Sequence, residues 1–354
     1  FSLIPISIIL GSGVSVVNVL LIDISFLIFL FFLKDFSFLK DDTIKFLLIF
    51  CIYLIFNSLI SIDKEVGYFR NLGFLRMVVF FVAINYFFNQ KIFINKLFLI
   101  WFSIIFIVVI DIYFERLNGT NLLGYPNKGE NFGKRIVSFF KDEPVVGGYL
   151  NAFYLIIIGF FLDKYGSLRL KVILLLSLIL LISILITGER ANFLRALTGV
   201  FLFFTFYREL SIKNKIIAFV IGLTTILIVF FNSEHLKGRF QQFKWALNED
   251  SQYFQVYKSG LQVFKNYPIL GVGNKNYRVE ACENPNKKED QLIQNYRCIT
   301  HPHQIYLEFL SEHGILGTSV MMFLFYKLIF SKIMRVIRYG NYIQLGSLIY
   351  LLII

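Results

Sequence analysis

HPHQIYLEFLSEHGILG, residues 301 to 317, joins a long polar loop to an apolar run able to enter a bilayer. Three of the chain's four histidines, His301, His303 and His313, fall in it, and the fourth, His235, lies at the far end of the same loop. A very apolar chain that gathers its imidazoles around one polar segment points to chemistry there. The rest reads as scaffold.

The 354 residues are 57% hydrophobic and 16% charged, with mean hydropathy +0.68, too apolar for a soluble surface. This predicts an all-α, polytopic membrane bundle. The net charge of +12 does not indicate a nucleic-acid partner, because the basic residues are scattered in short clusters between apolar runs, as helix-end anchors are. The chain opens on Phe1 and ends inside the apolar run Leu351 to Ile354. A piece of a longer protein, lacking the end of its last helix, is therefore expected.

Taking about 20 apolar residues as one crossing, spans are expected at 2–11, 17–33, 44–60, 72–88, 95–114, 145–162, 171–187, 191–207, 215–231, 313–330 and 342–354. That is eleven, with twelve expected in the full protein. Three regions follow: a bundle over 1–231 that includes an outward loop at 115–144, a large outward loop at 232–312, and C-terminal helices over 313–354. Lys34, Lys40, Lys91, Lys96, Lys164, Arg169, Arg208, Lys213, Lys332, Arg335 and Arg338 fall in alternate short connections. That side is expected to be cytoplasmic. The opposite, outward side then receives Arg190, Arg239, His301 and His303.

Within the spans, Asp23 requires a partner, a wet cavity or a proton. Arg76, near the outer end of the fourth span, either snorkels to headgroups or serves an anionic site. The turn ITGERANFLRALTG, 186–199, leaves almost no loop and holds Arg190 at the start of a helix, where free backbone amides favour anions. Its planar guanidinium suits a phosphate or diphosphate, with interface anchoring as the other reading. In HLKGRFQQFKWAL, 235–247, basic and aromatic residues alternate as in an interfacial helix, and Arg239 returns to the membrane edge. NYPILGVGNKNYR, 266–278, has Gly271 and Gly273 but neither the strand nor the third glycine of a dinucleotide loop, and reads as a surface turn.

Cys282 and Cys298 lie in the outward loop and read as a disulfide, whereas Cys51 lies in a span. A metal site of both cysteines with His301 and His303 is the other reading, but it lacks the short Cys pairs of zinc sites. Pro302 favours the first turn of a helix, with Ile305, Phe309, Leu310 and Ile315 along one face. A histidine at that N-terminus is disfavoured as imidazolium, which keeps it available as a base.

The pattern His303-Gln304, nine residues, Gly314, two residues, Gly317, with many spans, outer arginines and a large outward loop, resembles the bacterial O-antigen ligase and polymerase superfamily. The resemblance runs from about Arg135 to Gly317, and RIVSFFKDEPVVGGYL, 135–150, also looks like a family segment. Many members have Ser where this chain has Glu189. Carried over, the resemblance makes His303 the base on an acceptor hydroxyl and Arg190 and Arg239 the holders of a lipid diphosphate. Arg76, Arg135, His301 and Arg278 are further substrate contacts to test, and His301 is expected to point elsewhere around the turn from His303.

The activity so implied is inverting glycosyl transfer from undecaprenyl pyrophosphate, with no metal or other cofactor expected. The acceptor would be lipid A–core or a lipid-linked repeat, on the periplasmic face of the bacterial inner membrane. Protein O-glycosylation by the same superfamily chemistry, and transport or flipping of a lipid-linked glycan with Asp23 and Arg76 as pathway residues, are the alternatives.

Overall fold

The structure, a computed structural model, describes residues 1–34, 36–89, 93–126, 135–141, 143–241, 251–282 and 298–354. Among them are fifteen α-helices and no strand: α1 Ile4–Leu10, α2 Ser12–Leu33, α3 Asp42–Leu59, α4 Lys64–Asn89, α5 Ile94–Asn118, α6 Val146–Tyr165, α7 Leu170–Ile186, α8 Arg190–Phe206, α9 Ile212–Phe231, α10 Glu234–Gln241, α11 Gln252–Asn266, α12 Tyr277–Cys282, α13 Ile305–Leu328, α14 Ile333–Tyr339 and α15 Tyr342–Ile353. A helix stands at each expected span. Six of them, α2 to α6 and α9, are long and apolar enough to cross a membrane, and α7 and α15 are shorter apolar helices. Side chains such as Phe31, Phe32, Val172 and Ile221 remain exposed on these helices, a surface suited to lipid rather than water.

The helices divide into two compact units. The first comprises residues 1–18, 91–242 and 332–354, and the second 19–90 and 243–331. In the first unit α6 is the central helix, buried along most of its length among α5, α7, α8 and α15. Two glycines permit the closest approach: a Cβ at Gly159 would overlap the Tyr342 carbonyl, and one at Gly346 the Leu155 carbonyl. Small residues at helix crossings let backbones meet in lipid, where no hydrophobic force drives helices together. Asp163, at the end of α6, accepts from the amides of Tyr342 and Ile343 at 2.8 and 2.9 Å and so caps α15.

In the second unit α3 packs on α4 and on α13, and α11 packs on α13. Asparagines fasten residues 273–276 to α3 and α4. The Asn274 amide donates to Asn57 Oδ1 at 2.8 Å, its side chain donates to Asn71 Oδ1, and Asn276 Oδ1 accepts from the Asp63 amide at 2.6 Å. Such a buried polar network is tolerated because its members satisfy one another.

The expected span at 313–330 is the second half of a longer helix. α13 begins at Ile305 and breaks at Gly314, whose φ of 60° and ψ of −167° are open to glycine alone. Backbone groups freed by the break are taken up by the 268–273 loop. Ile315 and Leu316 donate to the carbonyls of Pro268 and Ile269 at 2.8 and 3.1 Å, while Val272 and Gly273 donate to those of Ser311 and Glu312 at 3.0 and 2.9 Å. The glycine-bearing turn is thus a splice across a broken helix. The expected start at Pro302 is also corrected: Gln304 is the N-cap, its Oε1 accepting from the Leu307 amide at 2.6 Å, and Pro302 lies outside the helix against Gly260.

Candidate active site

Arg190 and Arg239 of the first unit meet at the α7–α8 turn. Gly188, at φ 78°, lets the chain reverse in three residues, and the carboxylate of Glu189 then reaches the amides of Gly147 and Gly148 at 2.6 and 3.2 Å. Asn192 donates to the same carboxylate at 2.6 Å, and Arg135 attracts it. Burial raises the Glu189 carboxyl above its ordinary range, opposed by these hydrogen bonds and Arg135. Glu189 is therefore a cap on α6 that fills a helix N-terminus with the protein's own anion. The serine common in the resembled family could not reach as far. Nothing in the sequence spacing marked this role.

Arg190 is half-buried at the first position of α8, and its Nη1 donates to the Arg239 carbonyl at 3.1 Å. Arg239, on α10, is buried, with its Nε donating to the Gly188 carbonyl at 3.3 Å. The two arginines singled out by sequence are thus held by each other's segments. The Ile136 amide donates to the Thr187 carbonyl at 3.3 Å, bringing the stretch after Arg135 onto the same turn. Of the expected interfacial helix, α10 covers 234–241, while Phe243, Lys244, Trp245 and Leu247 lie outside the described residues, as does Lys91.

Away from this turn, the opposite halves of α7 to α9 enclose an apolar groove of about 770 Å³ lined by residues such as Leu174, Leu181, Phe201 and Ile226.

The second unit holds the other site residues. His303 is exposed with φ 54°, a left-handed conformation that folds the chain back on itself. The His301 and His303 rings consequently lie 4.4 Å apart, and Tyr253 is 6.4 Å from His303. The expectation that His301 points elsewhere is overturned by this backbone turn. What burial His303 has, together with His301, holds its imidazole below the usual range, with the Glu308 carboxylate pulling the other way. Its neutral form is thereby favoured.

Glu308 itself pairs with Lys275 at 2.7 Å. One turn on, Glu312 is buried and takes backbone hydrogen bonds from Lys275 and Tyr277, while its Oε1 has no partner. Burial pushes it up to about 7, against the pull of those bonds and of the Lys275 charge. Sequence reading passed over this residue, since a glutamate in a loop carries no sign of its burial. Gly317 has a reason too: a Cβ there would overlap the Tyr53 hydroxyl.

Arg278 is exposed on α12, and Cys282, which ends that helix, is disulfide-bonded to Cys298 with Cα atoms 4.5 Å apart. Cys51 is free and buried. Arg76 interacts electrostatically with Asp23, giving the intramembrane carboxylate its partner, although neither Asp23 oxygen nor Arg76 Nε has a hydrogen bond. Arg190, Arg239 and Arg135 belong to the first unit, and Arg76, Arg278, His301 and His303 to the second.

No curated protein matches the chain. The model of a family described as O-antigen ligase matches residues 175–322, a stretch that takes in the Arg190 turn, Arg239 and the His303 turn. Over that stretch the chain is similar to the O-antigen ligase family.

Proposed function

We propose that this protein transfers a glycan from undecaprenyl pyrophosphate to a sugar hydroxyl, on the periplasmic face of the bacterial inner membrane. The observation that carries the reading is the content of the matched stretch: two mutually held guanidiniums and an exposed imidazole whose neutral form is favoured. His303 accepts the proton of the acceptor hydroxyl as its oxygen attacks the anomeric carbon. The bond from that carbon to the donor's phosphate oxygen breaks with inversion. The diphosphate leaves with the bonding pair, and Arg190 and Arg239 balance its growing charge.

The apolar groove beside α7 to α9 suits the isoprenoid chain of such a donor. The acceptor is lipid A–core in a ligase or a second lipid-linked repeat in a polymerase. The test supplies purified protein with lipid-linked glycan and each acceptor in turn. Glycan appearing on one acceptor, and lost in His303→Ala, is the expected result. Translocation of the lipid-linked glycan without covalent transfer would establish the transporter reading instead.

A further inference from the structure

The scheme above leaves two carboxylates of α13 without a role, Glu308 and Glu312. Glu308 stands in the first turn of that helix, five residues after His303, and its side chain is only 21% exposed. Water and salt screen a charge so placed less than a surface one. The carboxylate acts electrostatically on the His303 imidazole, and its Oε1 is paired with the Lys275 ammonium at 2.7 Å.

Lys275 is brought to that contact by an uncommon backbone. Its φ of 62° is left-handed, a conformation that a residue with a Cβ keeps only where its surroundings impose it. Glu312 imposes it. That buried carboxylate takes the amides of Lys275 and Tyr277, while the Glu312 carbonyl takes the Gly273 amide at 2.9 Å. Asn274 and Asn276 tie the same segment to Asn57, Asn71 and Asp63. His303 is also left-handed, at φ 54°. Two residues that ordinarily avoid this conformation thus adopt it, and both interact with the one carboxylate. Such departures cluster at functional sites.

We propose that Glu308 is a positioning residue for the transfer, acting through His303 as a fixed countercharge to the imidazolium that forms when the ring takes the acceptor's proton. This rests on the reading of His303 as the base. The proton passes from the acceptor oxygen to the imidazole and stops there in this step, with Glu308 ionised throughout. Among the neighbours, His301 works against that imidazolium, 4.4 Å away ring to ring. From α11, Tyr253 brings an aromatic ring, and the Lys258 ammonium lies over Phe254. From α12, Arg278 is exposed, and within α13 the Glu308 charge also acts on Glu312 and His313.

The experiment takes two readouts from the full chain in detergent. One is the pH midpoint of His303 acylation by diethyl pyrocarbonate, resolved from His301 by mass spectrometry. The other is kcat and KM for transfer from undecaprenyl-diphosphate-linked glycan to lipid A–core and to a second lipid-linked glycan. Glu308→Gln should move the midpoint to lower pH and reduce kcat about threefold or more with KM little changed. Glu308→Asp keeps the charge and should restore most of both. Lys275→Gln keeps a hydrogen-bond donor but leaves the carboxylate less neutralised, so its midpoint should rise. Partly exposed ion pairs add little stability, and all three variants should melt near wild type. The opposite shifts keep the test decisive if one variant folds poorly.

An unmoved midpoint in Glu308→Gln, with His303→Ala inactive, overturns this proposal and leaves the base reading standing. A fall of the midpoint in Lys275→Gln matching that in Glu308→Gln makes the ion pair structural and overturns the proposal too. Full turnover in His303→Ala overturns the base reading, and the proposal with it.

Discussion

His301 and His303 hold their rings 4.4 Å apart, and the nearby His301 helps to hold the His303 imidazole below its usual range. Removing His301 therefore raises the His303 imidazole from its depressed position. The base form of His303 then persists over a narrower range, so the acid limb of the transfer rate should move to higher pH in His301→Ala. Activity near pH 8 should change little, while His303→Ala should lose about 10²–10⁴ in rate at every pH. A pH–rate profile of both variants decides the matter. An unmoved acid limb in His301→Ala refutes the coupling, and full activity in His303→Ala refutes its role as base.

Because Arg190 donates to the backbone of Arg239, and Arg239 to the backbone of Gly188 two residues before Arg190, the two side chains fix each other's positions. Either alanine substitution should weaken binding of a lipid diphosphate as well as slow turnover. The double variant should fall short of the sum by about 1 kcal/mol or more, since contacting residues couple. Strict additivity in that cycle counts against a shared ligand.

Glu189→Ala should cost stability rather than chemistry. It strips a charged cap from the Gly147 and Gly148 amides and a partner from Asn192, and hydrogen bonds to charged groups are worth about 1.5–3 kcal/mol each. The expected result is a lower melting midpoint with diphosphate affinity retained in the folded fraction. Loss of affinity at an unchanged midpoint would make Glu189 a substrate residue.

Gly314→Ala should be among the most damaging single changes in the chain. Its backbone lies in a region closed to other residues, and a Cβ would overlap the Ile269 carbonyl, so a penalty of about 3 kcal/mol or more is expected. Gly13, within α2, has open space around it and an ordinary φ, so Gly13→Ala should be neutral or stabilising by up to about 1 kcal/mol. Folded yield from matched expressions of the two variants gives the comparison. Equal yields would mean that the break in α13 is dispensable.

The helices were legible because lipid imposes one simple demand, a long run of apolar residues with its backbone bonds satisfied inside the run. The Arg190 turn could be read for a related reason: two apolar runs with almost nothing between them leave the arginine one place to go. What escaped reading is polar and distant in sequence. Glu189 meets Gly147, Asn57 meets Asn274, and Ile315 meets Pro268, each through a bond that local spacing does not encode. The His301–His303 proximity escaped for a different reason. It depends on one left-handed residue, and histidine does not advertise that conformation as glycine would.

The splice at Gly314 bears on how this protein tolerates change over generations. Its bonds run between backbones, from Pro268 to Gly273 on one side and from Ser311 to Leu316 on the other. Side chains such as Ile269 are spectators to that joint and can drift widely. Length cannot: one inserted or deleted residue between Tyr267 and Gly273 would put four donor–acceptor pairs out of step at once. Among descendants of this sequence, substitutions should accumulate at exposed positions such as Pro268 and Ile269, while Gly271 and Gly273, at positive φ with no room for a Cβ, stay glycine and gaps stay away.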